Sequence, residues 1–224
     1  MSTPSTFKAA DREHTSVLAA AEKRTLIKIA SSLPMWVNSD HLTGLGFVSL
    51  LAAAGCYWYA SVEPYALLAV IVFLVLNWFG DSLDGTLARV RNKQRPRYGF
   101  YVDHILDCIG MFFLMSGIAL SGYISPAVAA AFLVAYLLLS IEIYLATYAV
   151  GKFHLSYWRF GPTELRILLA IGNIVVLSRP YAHILGKEYL LFDVGFAVGA
   201  ACTALILIQA TVKHTVQLYR EETK

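Results

Sequence analysis

Apolar residues gather into six long stretches, at 44–62, 65–80, 100–121, 124–150, 163–179 and 189–212. A helix needs roughly 20 such residues to cross a bilayer core of about 30 Å. The second stretch is short before Asp81 interrupts it. At about 1.5 Å per residue it barely crosses the hydrocarbon, so Asp81 is expected near one membrane boundary. Pro64, Pro126, Pro162 and Pro180 punctuate the connections, where helix breakers belong. Ahead of the first stretch, "SVLAAAEKRTLIKIASS" mixes apolar and basic residues at rough helical spacing, as a helix lying on a membrane surface does. The pattern predicts an all-α integral membrane protein with six transmembrane helices preceded by a cytoplasmic amphipathic helix. It divides the chain into an N-terminal cytoplasmic or interfacial segment (1–43), a six-helix domain (44–212) and a cytoplasmic tail (213–224).

Composition agrees. Of 224 residues, 58% are hydrophobic and 15% charged, whereas a soluble domain of this size needs far more polar surface. The first 30 residues carry Lys8, Asp11, Arg12, Glu13, Glu22, Lys23, Arg24 and Lys28. They lack the compact apolar core of a secretory signal. Cys56, Cys108 and Cys202 form no C-x-x-C pair, which points to buried thiols rather than a disulfide framework or a zinc site. With the N-terminus inside, the inner segments hold sixteen of the eighteen Lys and Arg, and the outer side keeps Arg179 and Lys187. That asymmetry predicts cytoplasmic N- and C-termini and a cytoplasmic face for the acidic segment. Trp36, Trp58, Trp78 and Trp158 fall near the predicted boundaries, as anchors do. The lipid bilayer is the expected partner; nucleic acid is not.

The polar chemistry concentrates between the second and third stretches. Asp81 and Asp84 are three residues apart, and Asp103 and Asp107 four apart, so each pair lies on one face of a helix. The two helices are antiparallel neighbours, and the four carboxylates can converge. At the edge of a low-dielectric slab such a group repels itself strongly and calls for positive charge. Two sources fit: hard divalent cations such as Mg²⁺ or Mn²⁺ in a two-metal site, or salt bridges to Arg89, Arg91, Lys93, Arg95 and Arg97. Gly85 and Ala88 continue the face of Asp81 and Asp84, and Gly99 lies one turn before Asp103. These small residues leave room for a ligand against the backbone.

Asp81, Asp84-Gly85, Ala88-Arg89, Gly99, Asp103 and Asp107 resemble the signature of the CDP-alcohol phosphotransferases (CDP-alcohol phosphatidyltransferases), D-x-x-D-G-x-x-A-R followed by G-x-x-x-D-x-x-x-D. "SDHLT" (39–43) is similar to the family's P-N-x-I-T element, with Ser39 and Asp40 departing from it. The resemblance implies a metal-dependent enzyme of phospholipid biosynthesis. A CDP-linked donor passes its phospho-substituent to an alcohol acceptor, and CMP leaves. It implies Asp81, Asp84, Asp103 and Asp107 as ligands of two Mg²⁺ or Mn²⁺ ions, with Asp107 also taking the alcohol's proton. Gly85, Ala88 and Gly99 would admit the cytidine nucleotide, with Arg89 and Thr43 beside it. A homodimer is implied as well.

Arg166, one turn into the fifth stretch in "RFGPTELRILLA", is read either as a snorkelling residue paired with Glu164 or as an anion contact for a substrate phosphate. It favours CDP-diacylglycerol as donor and a small polar alcohol as acceptor. His104, in "DHILD", favours the alternative, a choline/ethanolamine-type enzyme using a CDP-amino alcohol and diacylglycerol. A divalent-cation transporter would also need membrane carboxylates, but transport sites lie near the midplane at broken helices. Glu142, within the fourth stretch, is read as a functional carboxylate or as one hydrogen-bonded to a neighbouring helix.

Overall fold

The computed structural model describes residues 11–13, 19–150, 152–154 and 162–223. Among them are seven helices: α1 (Ala19–Ser32), α2 (Ser39–Tyr59), α3 (Ala66–Val90), α4 (Pro96–Leu120), α5 (Pro126–Val150), α6 (Pro162–Ser178) and α7 (Leu191–Glu222). Five of these, α2 to α5 and α7, are long and apolar enough to cross a membrane. The protein is therefore an α-helical integral membrane protein. The fifth predicted span corresponds to α6, which has 17 residues and is about 26 Å long. The residues just before it, Trp158 and Gly161 among them, lie outside the described residues.

Two small strand pairings add to the helical architecture. β1 (Asp11–Glu13) runs parallel to β2 (Lys152–His154), and β3 (Tyr181–Ile184) pairs antiparallel with β4 (Lys187–Leu190). Leu185 and Gly186 between β3 and β4 both have positive φ, 51° and 77°. That is the backbone of a two-residue mirror-image turn, which glycine enters freely.

Local chemistry sets where helices begin. Asn38 caps α2: its Oδ1 accepts from the His41 backbone N–H at 2.9 Å, and its own N–H donates to His41 Nδ1 at 3.4 Å. Pro96, Pro126 and Pro162 open α4, α5 and α6, where a missing N–H is no loss. The second predicted span stops at Gly80, and the helix continues past Asp84, as the spacing of the aspartates implies, to Val90. Leu83 and Leu87, fully buried, pack with Leu26 and Ala30 of α1. Covered by α1, the segment stays helical beyond the apolar run, and Asp81 lies about two and a half turns inside the end of α3. Arg91 then fastens the α1–α2 elbow to α3, donating to the carbonyls of Leu33 at 2.8 Å, Pro34 at 2.9 Å and Val37. α7 likewise passes residue 213 without a break.

Contacts between helices close a ring in the order α2, α3, α6, α7, α5, α4, so α3 and α4 are not the packed neighbours the sequence pattern suggests; α2 stands between them. Two apolar clusters fill it. The larger, at the end of the ring away from α1, includes Tyr57, Leu67, Val70, Ile118, Val176 and Phe192. Within it the Tyr57 hydroxyl donates to Asn173 Oδ1 at 2.9 Å, tying α2 to α6. The smaller joins α1 to Val37, Leu42, Leu83 and Leu87. The acidic residues of α3 and α4 lie between the two. Trp36 and Trp58 are exposed, while Trp78 packs partly buried against the smaller cluster. Cys56, Cys108 and Cys202 are free thiols, but not buried ones: the first two are half-buried and Cys202 is exposed on the helix surface.

Candidate active site and metal centre

The site rests on a close helix crossing. A side chain at Gly80 would bring its Cβ to 2.5 Å from the Leu42 carbonyl oxygen and 2.6 Å from the Gly46 nitrogen. Only glycine lets α2 and α3 approach this far, the same small-residue logic that packs membrane helices elsewhere. The next residue after this contact is Asp81, so the crossing fixes where its carboxylate projects.

α4 completes the group. One carboxylate oxygen from each of Asp81, Asp103 and Asp107 lies within 4.8 Å of the others. At an effective dielectric of about 20, each pair of such charges, when ionised, repels by on the order of 3 kcal/mol, a repulsion that a cation relieves. The donors are all hard carboxylate oxygens, the set that suits Mg²⁺ or Mn²⁺. They face a small cleft, lined also by Thr43, Phe47 and Leu50 of α2, Asn77 and Asp84 of α3, and Leu106 of α4.

Asp84 lines that cleft but is held differently. Its Oδ2 accepts from the Thr43 hydroxyl at 2.6 Å, its Oδ1 from the Gly85 N–H, and its backbone carbonyl from Ser39 Oγ at 2.9 Å. The start of α2, where "SDHLT" lies, is thus the support of Asp84. Asp40 from the same stretch pairs with Arg95. Arg95 and Arg91 are therefore engaged away from the three converging carboxylates.

Arg166 enters from α6. Its Nη2 donates to Asp81 Oδ2 at 2.5 Å and its Nε to Asn77 Oδ1 at 2.7 Å; Asn77 Nδ2 donates to the Gly46 carbonyl at 3.0 Å. Arg166 thus touches two lining residues from behind, and it, Gly85, Ala88, Arg89 and Gly99 all stand outside the cleft lining. Gly85 has open space, an added Cβ meeting only Arg89 Nη1 at 3.4 Å, and Gly99 has nothing within 4 Å. Ala88 is half-buried and Arg89 exposed on the same stretch of α3, with Arg89 Nη2 donating to Thr86 Oγ1 at 3.0 Å.

His104 is buried in packing. It stacks on Phe100 with centroids 4.2 Å apart, meets Tyr144 edge-on at 4.9 Å and lies 3.6 Å from Asp103 Oδ2. Glu142 is hydrogen-bonded across to α7, 2.6 Å from His214 Nδ1.

Sequence reasoning missed Asn77, Gly46, Gly80 and His214. Asn77 did carry a signal: a polar side chain four residues before Asp81 inside an otherwise apolar run marks function or pairing by default. Gly46 and Gly80 look like any other glycines until the helices are brought together.

The fold and site together define a membrane-embedded helical protein with a carboxylate centre suited to a divalent cation. The family model for CDP-alcohol phosphatidyltransferase matches residues 36–210, well over half of the chain, and the protein belongs to that family. No curated protein matches the chain.

Proposed function

We propose that the protein transfers the phosphatidyl group of CDP-diacylglycerol to a small polar alcohol, releasing CMP. The observation that carries this reading is the convergence of Asp81, Asp103 and Asp107 within 4.8 Å in a chain of the CDP-alcohol phosphatidyltransferase family. The acceptor oxygen forms a bond to the lipid-bearing phosphorus, the bond from that phosphorus to CMP breaks, and the alcohol proton passes to Asp107. Asp81, Asp84, Asp103 and Asp107 are the proposed ligands of two Mg²⁺ or Mn²⁺ ions, which would neutralise the pyrophosphate and the departing CMP. Thr43 keeps Asp84 oriented. Gly85, Ala88 and Gly99 leave the donor room to lie against α3 and α4, Arg89 contacts its phosphates, and Arg166 supplies a cation at the cleft wall.

α6 is the sixth span in this reading. α1, which exposes Lys23, Arg24 and Lys28 while burying Leu26 and Ala30, lies on the cytoplasmic membrane surface. Both termini and the site face the cytoplasm, following the basic residues. The domain limits expected from the sequence and a homodimeric assembly complete the reading. The packing of His104 between Phe100 and Tyr144 weighs against the choline/ethanolamine alternative, because it accounts for the histidine without chemistry.

The test is CMP release by purified protein, with CDP-diacylglycerol or a CDP-amino alcohol as donor and a panel of acceptors, before and after metal removal verified by elemental analysis. Release is expected from CDP-diacylglycerol alone and is expected to vanish in excess EDTA. Full turnover without metal would sink the two-metal mechanism. Turnover with CDP-amino alcohols would move the assignment to the other branch.

A further inference from the structure

Asp81 takes part in two arrangements. It is one of three carboxylates with oxygens within 4.8 Å of one another, and its Oδ2 accepts from Arg166 Nη2 at 2.5 Å. The guanidinium is fixed from its other side. Nε donates to Asn77 Oδ1 at 2.7 Å, and Asn77 is itself held by the Gly46 carbonyl. Asn77 is only 4% exposed, so little water competes for its amide. The Gly46 backbone is pinned by Gly80 at the helix crossing. A cation is therefore seated, with little freedom, beside a carboxylate that the metal chemistry requires.

A guanidinium and a divalent cation drawing on the same carboxylate repel each other across a few ångströms in a partly dry cleft. We propose that Arg166 is a built-in counter-ion of the carboxylate group that competes with the divalent metal for Asp81, and that Asn77 is the positioning residue that keeps the guanidinium beside the cleft when Asp81 turns to the metal. This rests on the metal-dependent reading above and adds an order to it. Metal uptake releases the Nη donors, while Nε stays on Asn77. The freed donors then face the cleft as an anion contact, so a substrate phosphate meets Arg166 only after metal has bound. An Arg166 that simply orients Asp81 as a metal ligand would have the opposite effect on metal affinity, because removing it would then weaken binding.

Mn²⁺ binding to the purified protein, without nucleotide, decides between the two signs. Free Mn²⁺ is followed by electron paramagnetic resonance for wild type, Arg166→Gln and Arg166→Lys. Competition predicts that Arg166→Gln binds Mn²⁺ at least about tenfold more tightly than wild type. Arg166→Lys keeps a charge for folding but replaces the planar guanidinium fork with a single nitrogen, and is expected to tighten binding by a smaller factor. Affinity equal to or weaker than wild type in the folded variants overturns the proposal. Thermal unfolding adds a second readout. The midpoint deficit of Arg166→Gln in EDTA is expected to shrink in saturating Mn²⁺, and an equal deficit in both conditions counts against competition. Wild-type protein that binds no Mn²⁺ at all removes the metal reading itself, and this inference with it.

Discussion

Below the carboxylates, where α2 crosses α3, backbone meets backbone; a turn and a half further along α3 the helix face is open. Gly80 and Gly85 mark the two regions. A Cβ at Gly80 would lie 2.5 Å from a carbonyl oxygen of α2, whereas at Gly85 it would meet nothing closer than Arg89 Nη1 at 3.4 Å, on its own helix. One glycine lets helices touch, and the other leaves an open stretch of helix. The same residue type on the same helix thus has a folding role and, in the proposed function, a binding role, and only the neighbours tell them apart.

The sharpest way to break this contrast is to make one substitution at both places. Gly80→Leu is expected to leave no monodisperse folded protein. Overpacking typically costs about 1–3 kcal/mol, and here the obstructing atoms are backbone on both helices. Size-exclusion chromatography and thermal unfolding in detergent are the readouts, and a wild-type melting profile would show that the crossing is not tight. Gly85→Leu is expected to melt as wild type does while losing detectable CDP-donor binding, since leucine fills the open face without touching the crossing. A thermally normal variant with wild-type donor affinity would remove the nucleotide from this face of α3.

Asp107→Asn sharpens the contrast on the chemical side. Its shape is kept, so fold and donor affinity are expected to persist while turnover falls about 10²–10⁴-fold, the usual loss for a general base. Unchanged CMP release would refute the proton-accepting role. The smallest effect is expected at Gly99, exposed and with nothing within 4 Å. Gly99→Ala should favour α4 by up to about 1 kcal/mol and weaken donor binding less than tenfold. Measured affinity and melting temperature moving in opposite directions would support a nucleotide passing over it, whereas unaltered affinity would leave Gly99 a mere helix residue.

The carboxylate group was legible in the sequence because its information is local. Asp103 and Asp107 share a helix face by spacing alone, and a short connection brings the carboxylates of α3 and α4 to one cleft, although α2 stands between the two helices. What supports the group was not legible, because it comes from far along the chain. Arg166 reaches Asn77 across 89 positions and Thr43 reaches Asp84 across 41. No local period encodes such contacts. The extension of α3 past Gly80 was legible in the helical spacing of Asp81, Asp84, Gly85 and Ala88, but its support was hidden: Leu83 and Leu87 are buried by α1, a helix from another part of the chain. The hairpin of β3 and β4 depends on a two-residue turn that a six-span pattern passes over as a connection.

The chain is also made in order, from its first residue to its last. All four aspartates are carried by α3 and α4, whereas the guanidinium that lies against Asp81 belongs to α6. At about 5–20 residues per second, Arg166 is synthesised roughly 3–12 s after Asp107. For that interval the nascent protein holds the four carboxylates of α3 and α4 without the arginine that lies against Asp81. The basic residues Arg89 to Arg97 of the α3–α4 connection, ions and lipid headgroups are then the other charges on hand, and the conditions under which the protein is made bear on how these two helices settle.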